Sequence, residues 1–174
     1  DRSVSRGLGD VYKRQVLKEA DLILTTGGVS VGDKDLVPDV IESLNGRVLF
    51  HGIRVKPGMP TMLSVVEDIP VLSLSGNPFA VAALFELLAG GYLADRAEEV
   101  YIQKKETKVL RQTFVKTGKP KRIVKGKCDE EGVFLPQIQR NGQLKNGIGS
   151  NCLVVFPEGE RTYPEGEKVQ VIRI

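Results

Sequence analysis

The sequence predicts an α/β protein: an incomplete doubly wound α/β domain, entered partway, followed by a small all-β, barrel-like domain. Three observations predict it. Two strand–turn–helix units occupy the first half, and short, turn-separated alternating segments fill everything beyond Ala94-Asp95. Most of residues 1–15 carry neither a helical nor a strand period. The expected division is a non-native or disordered leader over 1–15, the partial α/β domain over 16–96 and the β domain over 97–174.

The elements follow in order. Val16, Leu17 and Ala20 suit a helix leading into the first strand, so the chain is expected to start mid-domain. Leu22-Ile-Leu24 is an apolar run too short for a helix and bounded by glycine, which predicts a strand buried on both faces. Thr25-Thr-Gly-Gly28 turns the chain, and Leu36, Val37, Val40, Ile41 and Leu44 set a helical period that ends at Asn45-Gly46. Arg47–His51 reads as a second strand, Lys56-Pro-Gly-Met-Pro60 as a rigid turn, and Thr61–Val66 and Val71–Ser75 as further strands. Asn77 with Pro78 is a strong helix start. The helix from Pro78 to about Leu93 is apolar nearly all round, which predicts a well-buried element. Strands are expected over 107–117, 122–128, 133–138, 153–156 and 169–174, broken at Asn141-Gly142, Asn146-Gly147, Glu158-Gly159 and Glu165-Gly166.

Composition excludes several classes. Across 174 residues, 41% hydrophobic and 27% charged content is that of a soluble globular protein. No apolar stretch is expected to approach the length of a bilayer-spanning helix, and no signal-peptide pattern opens the chain, so no membrane role is expected. Cys128 and Cys152 lie far apart without metal-ligand spacing, which argues for a reducing, cytoplasmic setting. His51 is the only histidine, which discounts a Ser-His-Asp or histidine–metal mechanism. From Lys104 to Lys127 there are ten Lys and Arg residues against one acid, Glu106. Only Phe114 interleaves with them, so strands with a charged solvent face explain the run better than nucleic-acid binding.

The chemistry gathers in the turns. Ligands of open α/β sheets sit beyond the carboxyl ends of the strands, where Gly27, Gly28, Ser30, Asp33 and Asp35 fall. Glycine permits positive φ and close backbone approach. Asp33 or Asp35 serves equally well as a helix cap. If the strands before Gly27-Gly28 and Gly76-Asn77 are parallel neighbours, both turns open onto one edge. A helix N-terminus there would offer free N–H groups to phosphate or another oxyanion, with Lys56 as counter-charge.

Three motifs together, Thr26-Gly-Gly-Val-Ser-Val-Gly-Asp-Lys-Asp35, Val55-Lys-Pro-Gly-Met-Pro60 and Leu74-Ser-Gly-Asn-Pro78, resemble the molybdopterin molybdenumtransferases, the MoeA and gephyrin E-domain family. Pro157-Glu-Gly159 and Gly166-Glu167 resemble that family's C-terminal domain, and the likeness runs from about Val16 to Ile174. The resemblance implies a molybdopterin-binding type of α/β domain and the last step of molybdenum cofactor assembly. Adenylylated molybdopterin and molybdate would bind with magnesium, AMP would leave, and molybdate would enter the dithiolene. It implies that Asp35 holds the metal or activates water and that Lys56 faces molybdate or phosphate. Gly27, Gly28 and Ser30 would cradle the pterin phosphate, while Ser75, Gly76, Asn77 and Pro78 shape the pocket wall. A molybdopterin adenylyltransferase is the implied upstream partner, and the full-length form is implied to be a homodimer.

Departures from the pattern accompany it. Met59 replaces the second lysine of KPGKP, Ser75 a proline and Ala80 a serine, while Lys125 and Asn141 fall near an arginine and a serine associated with molybdate. Family members are about twice as long, so the chain is expected to be a fragment, inactive alone. Three other readings compete: the related molybdopterin adenylyltransferase, disfavoured by Val29-Ser30 and Lys34; a non-catalytic pterin-binding or scaffold module; and a nucleic-acid binder through Lys104–Lys127.

Overall fold

The computed structural model describes residues 19–30, 35–98, 103–136 and 149–174. Their contacts fall into two compact bodies. The first comprises the described residues up to Gly52 with Pro60–Ser75; the second comprises Ile53–Met59 with the described residues from Gly76 onward. In chain order the first half carries β1 (Ile23–Thr26), α1 (Val37–Ser43), β2 (Arg47–His51), β3 (Val55–Lys56), β4 (Met62–Val66) and β5 (Ile69–Leu74); β3 alone of these belongs to the second body.

The first body is a four-stranded mixed sheet ordered β1-β5-β4-β2. β1 and β5 run parallel, with Ile23 opposite Val71 and Thr26 opposite Leu74. β4 pairs antiparallel with both β5 and β2. Only one pair in this four-stranded sheet is parallel, so the doubly wound pattern is present as that single pair within a mixed sheet. The β4–β5 hairpin turns on Glu67 and Asp68, whose φ angles of 49° and 68° match the twist of the flanking strands. One face of the sheet meets α1 through Ile41 and Val37, which pack with Val29, Met62, Val66, Val71 and Ile23.

The expectation that β1 is buried on both faces needs correction. Its side chains alternate between partly buried and exposed, and Leu24 is 40% exposed. β1 is an edge strand of the described sheet, and its α1 face takes Ile23 and Thr25 while Leu24 points away from it. An apolar run reports hydrophobicity, not how many layers cover it.

The second body opens with α2 (Pro78–Leu84), a π-helical turn over Phe85–Ala89, and α3 (Gly90–Arg96). The predicted well-buried helix is there as a continuous helical run, but it buries only one side. Ala80, Ala83, Leu84 and Ala89 are covered, whereas Phe85, Leu88, Tyr92 and Leu93 are exposed. The 19 residues Pro78–Arg96 are also long and apolar enough to cross a bilayer by length and composition, contrary to the sequence expectation. One helix of this kind is weak grounds for a membrane role, because core helices of soluble proteins share its composition.

The strands beyond are β6 (Lys105–Val109), β7 (Phe114–Lys116), β8 (Lys121–Cys128), β9 (Val133–Phe134), β10 (Cys152–Phe156), β11 (Arg161–Tyr163) and β12 (Lys168–Arg173). Five strands order as β3-β8-β10-β12-β6, with β9 added beside β8, and β7 and β11 form a separate ribbon. The larger sheet is open, with β3 and β6 at its described edges; the expected barrel-like closure is not seen among these pairings. One apolar cluster unites both sheets through Leu110, Val124, Val133, Val154, Phe156, Tyr163 and Val171. Phe156 stacks on Phe114 at 4.4 Å and meets Tyr163 at 4.7 Å between ring centroids, which ties the ribbon to the sheet.

Of the ten basic residues of the run, six are exposed, Lys108, Arg122 and Lys125 are partly buried, and one is buried. Lys116 is 2% exposed. Its Nζ donates to the carbonyls of Gly118 and Gly159, so the ammonium is met by turn backbone while its stem packs inward. No alternation rule applied to residues 104–127 finds that lysine.

Candidate functional site

The glycine turn of the first body is built from the end of the parallel pair. Thr26 and Leu74 are register partners, and the Gly27 N–H donates to the Leu74 carbonyl at 2.8 Å. β1 and β5 therefore finish side by side. Gly27 and Gly28 have φ of 85° and 66°, a conformation that L side chains adopt at a cost. The Gly28 carbonyl accepts from the Val37 N–H at 2.9 Å, which draws the turn onto the start of α1. Val29 is buried, and His51 Nε2 lies 2.7 Å from its carbonyl. A carbonyl only accepts, so Nε2 carries the hydrogen in that bond. The only histidine is thus a fastener for the loop, reaching it from the end of β2.

Ser30 is exposed at the end of this segment and Asp35 is partly buried before α1. Val31, Gly32, Asp33 and Lys34 lie outside the described residues. The N-cap of α1 is Leu36, without a side-chain cap bond, so Asp35 is not the cap that its position allowed.

Beneath the turn lies a feature that the motifs did not mark. Thr25 Oγ1, Ser73 Oγ and Ser75 Oγ are buried and have no hydrogen-bond partner. Thr25 faces Ser73 across the parallel pair, and Ser75 is two residues farther along on the same side. Three orphan hydroxyls at the carboxyl ends of adjacent parallel strands are unusual, since buried polar atoms nearly always find partners. Sequence reasoning took Ser75 as a binding residue and missed Thr25 and Ser73; the signal was their alternation with the apolar residues of β1 and β5.

In the second body, the Lys56 turn is fitted to α2. Ile53 N–H closes it by donating to the Met59 carbonyl at 2.8 Å, and the Lys56–Pro57 peptide is cis. Gly58 is buried at φ 110°, and a Cβ there would run into Leu84 Cδ1 and lie 3.7 Å from Ala80 Cβ. Any side chain there would have to displace Leu84 and would be strained at that φ. Ala80 is part of that contact. Lys56 itself is exposed.

Asn77 caps α2 as expected: its Oδ1 accepts from Phe79 N–H at 3.0 Å and Ala80 N–H at 3.3 Å. This corrects one idea. Pro78 has no N–H, Asn77 engages the next two, and Val81 N–H donates to the Asn77 carbonyl. The helix start has no spare donor for an oxyanion. In α1, likewise, Val37 N–H goes to Gly28 and Pro38 has none. Anion recognition by a helix terminus, predicted for both units, is pre-empted at α2 by the chain's own acceptors.

The expected site residues thus fall in two sets: Gly27, Gly28, Ser30, Asp35 and Ser75 in the first body, and Lys56, Gly76, Asn77 and Pro78 in the second. Among the described residues, no three or more His, Cys, Asp or Glu side chains gather as a metal centre. Of the remaining departures, Met59 is 41% exposed. Lys125 Nζ lies 4.7 Å over the Phe79 ring, and Asn141 lies outside the described residues.

Comparison with known proteins places these features in context. Residues 8–95 match the family model described as a probable molybdopterin binding domain. The chain is 32% identical over 168 residues to a molybdopterin molybdenumtransferase of Staphylococcus aureus (strain COL), covering 91% of this chain and 40% of that protein. It is 31% identical over 170 residues to the enzyme of that name from Bacillus subtilis (strain 168), covering 92% and 39%. A solved structure of the molybdopterin biosynthesis moeA protein from Pyrococcus horikosii superposes with a TM-score of 0.77 at 26% identity, over 92% of this chain and 39% of that one. A molybdenum cofactor biosynthesis protein from Pyrococcus furiosus gives a TM-score of 0.69 at 26% identity, over 92% and 52%. The chain spans about two fifths of the length of the curated relatives it matches.

Proposed function

The chain belongs to the probable molybdopterin binding domain family, and from that premise we propose that it is the pterin-handling portion of a molybdopterin molybdenumtransferase. The reaction it serves is insertion of molybdate into adenylylated molybdopterin with release of AMP. Because the chain spans two fifths of its relatives, that activity is assigned to the longer enzyme and not to this chain alone.

One observation carries the reading: the Gly27-Gly28 turn stands at the carboxyl end of a parallel strand pair, hydrogen-bonded to the neighbouring strand's last residue. Residues in this position meet small charged ligands through backbone N–H groups. In this proposal Gly28 and Ser30 cradle the pterin phosphate, while Gly27, whose own N–H is held by the Leu74 carbonyl, shapes the turn beside them, with the Ser75 hydroxyl nearby at the end of β5. Lys56 supplies charge to molybdate or a phosphate, stabilising negative charge as it moves to a leaving group. Gly76, Asn77 and Pro78 hold the backbone at the start of α2. Asp35 is the one described carboxylate of the motif. With no cluster of ligands around it among the described residues, these side chains do not by themselves assemble a magnesium site, and no step is routed through a cation.

The test is calorimetric titration of the folded chain with molybdopterin and with its adenylylated form, in the wild type and in Asp35→Ala and Lys56→Ala. Saturable binding that weakens in the variants is expected. A folded chain that binds neither form, or variants that bind like the wild type, would overturn the assignment. AMP release by the full-length protein distinguishes an enzyme from a pterin carrier.

A further inference from the structure

β3, the strand that carries Lys56, is two residues long and lies at the edge of the larger sheet, paired with β8. The pairing is made at the first residues of β8. Val55 is opposite Lys121 and Lys56 opposite Arg122, and Lys121 N–H donates to the Arg54 carbonyl at 2.9 Å. Pro120, just before, has no N–H to add. The register of β3 therefore depends on where β8 begins, which the turn over residues 117–120 sets. A slip of one residue would move Lys56 to the other face.

That turn is tied to a second one. Gly159 N–H donates to the Lys119 carbonyl at 2.8 Å, and Gly118 N–H donates to Glu160 Oε1 at 2.9 Å. Glu158 pairs with Arg54, two residues before Lys56, at 3.1 Å. Joining the two turns is the buried Lys116, whose Nζ donates to the Gly118 carbonyl at 2.8 Å and to the Gly159 carbonyl. Its backbone is held in the ribbon, as register partner of Arg161. Burying an ammonium is costly, and among the described residues no carboxylate pairs with this one. An apolar side chain of similar length would fill the space without that cost. What the ammonium adds is a single donor, charged and therefore strong, bonded to both turns at once.

We propose that Lys116 is a positioning residue for Lys56. By fastening the Gly118 and Gly159 turns together it fixes the start of β8, from which β3 takes its register and Lys56 its place. Its bearing on the reaction rests on the reading of Lys56 given under the proposed function.

The experiment compares amide hydrogen exchange in the wild-type chain and in Lys116→Met, which keeps the stem and removes the ammonium. Ile53 N–H closes the Lys56 turn on Met59, and Lys121 N–H holds Arg54. Both should exchange about tenfold faster or more on loss of a charged hydrogen bond. The Val154 amide, on a strand paired on both sides, should exchange as in the wild type. No change at Ile53 and Lys121, or an equal increase at Val154, would overturn the proposal. If the methionine form fails to fold, the wild type in rising urea decides. The Gly159, Lys121 and Ile53 amides should then open together as one unit, and separate opening would overturn the proposal. Titration with adenylylated molybdopterin separates this inference from the reading of Lys56. Lys116→Met should weaken binding and add nothing in a Lys56→Ala background. An equal further loss in that background means that Lys116 acts through something else, and it refutes the positioning role. A Lys56→Ala chain that binds like the wild type overturns the role of Lys56, while the exchange result judges Lys116 by itself.

Discussion

Replacing Thr25 by valine should stabilise the protein. Thr25 Oγ1 is buried without a partner, opposite the equally unpartnered Ser73 Oγ. A hydroxyl moved from water to such a place costs roughly 1–3 kcal/mol, and the folded state bears that cost. Valine keeps the branched shape and strand preference and removes only the hydroxyl. The expected gain is about 1 kcal/mol, at the low end because the unfolded chain already buries part of the site. In a domain of this size that corresponds to a rise in Tm of about 2–4 °C. Urea denaturation followed by circular dichroism is the assay. The midpoint should move up with the slope unchanged, which marks a change in stability and not in the surface exposed. Ser73→Ala should shift it the same way by less, since the smaller side chain leaves a gap. A destabilisation of about 1 kcal/mol or more in Thr25→Val would refute the reasoning. It would mean that the three hydroxyls are satisfied by something they hold, such as a buried water.

Three further outcomes follow from single contacts. Asn77→Ala removes the acceptor for Phe79 and Ala80 N–H and should cost about 1 kcal/mol in the same denaturation experiment, with Asn77→Asp close to the wild type. Glu106 takes a two-pronged contact from Arg173, Nε to Oε1 at 3.0 Å and Nη2 to Oε2 at 3.2 Å, and the hydrogen bond to Arg173 holds its carboxyl below the ordinary value of 4.5. A depressed folded-state value means the contribution is complete above about pH 4.5 and fades as pH falls through the lower folded value; Glu106→Gln should flatten that part of the acid limb of stability against pH. Burial pushes the Cys152 thiol up to about 12, so the folded protein should leave it unmodified by a thiol reagent at pH 8 until urea opens the sheet.

The resemblance in the motifs reached the right family because each motif is a local backbone device. Gly27-Gly28 at positive φ, Asn77 before Pro78, and the Gly58 reversal are each set by steric and hydrogen-bonding rules acting over a few residues. Those rules are written in residue identity, so the turns and helix starts were legible. Coverage was not. Leu24 and the Phe85, Leu88 and Tyr92 side of the helical run are as apolar as core residues and stand exposed, because hydropathy records what a side chain prefers and not which layer meets it.

By itself the sequence determined the two strand–turn–helix units, the cap of α2 and the alternating strands of the last part, since neighbouring residues suffice to specify them. Only the tertiary structure decided which strands are neighbours. That β1 ends beside β5, that Thr25 faces Ser73, and that Lys56 lies across from Arg122 are facts of register between segments far apart in the chain. Strand pairing depends on the hydrogen bonds and packing of both partners together, and a one-residue slip would turn every one of these side chains to the other face.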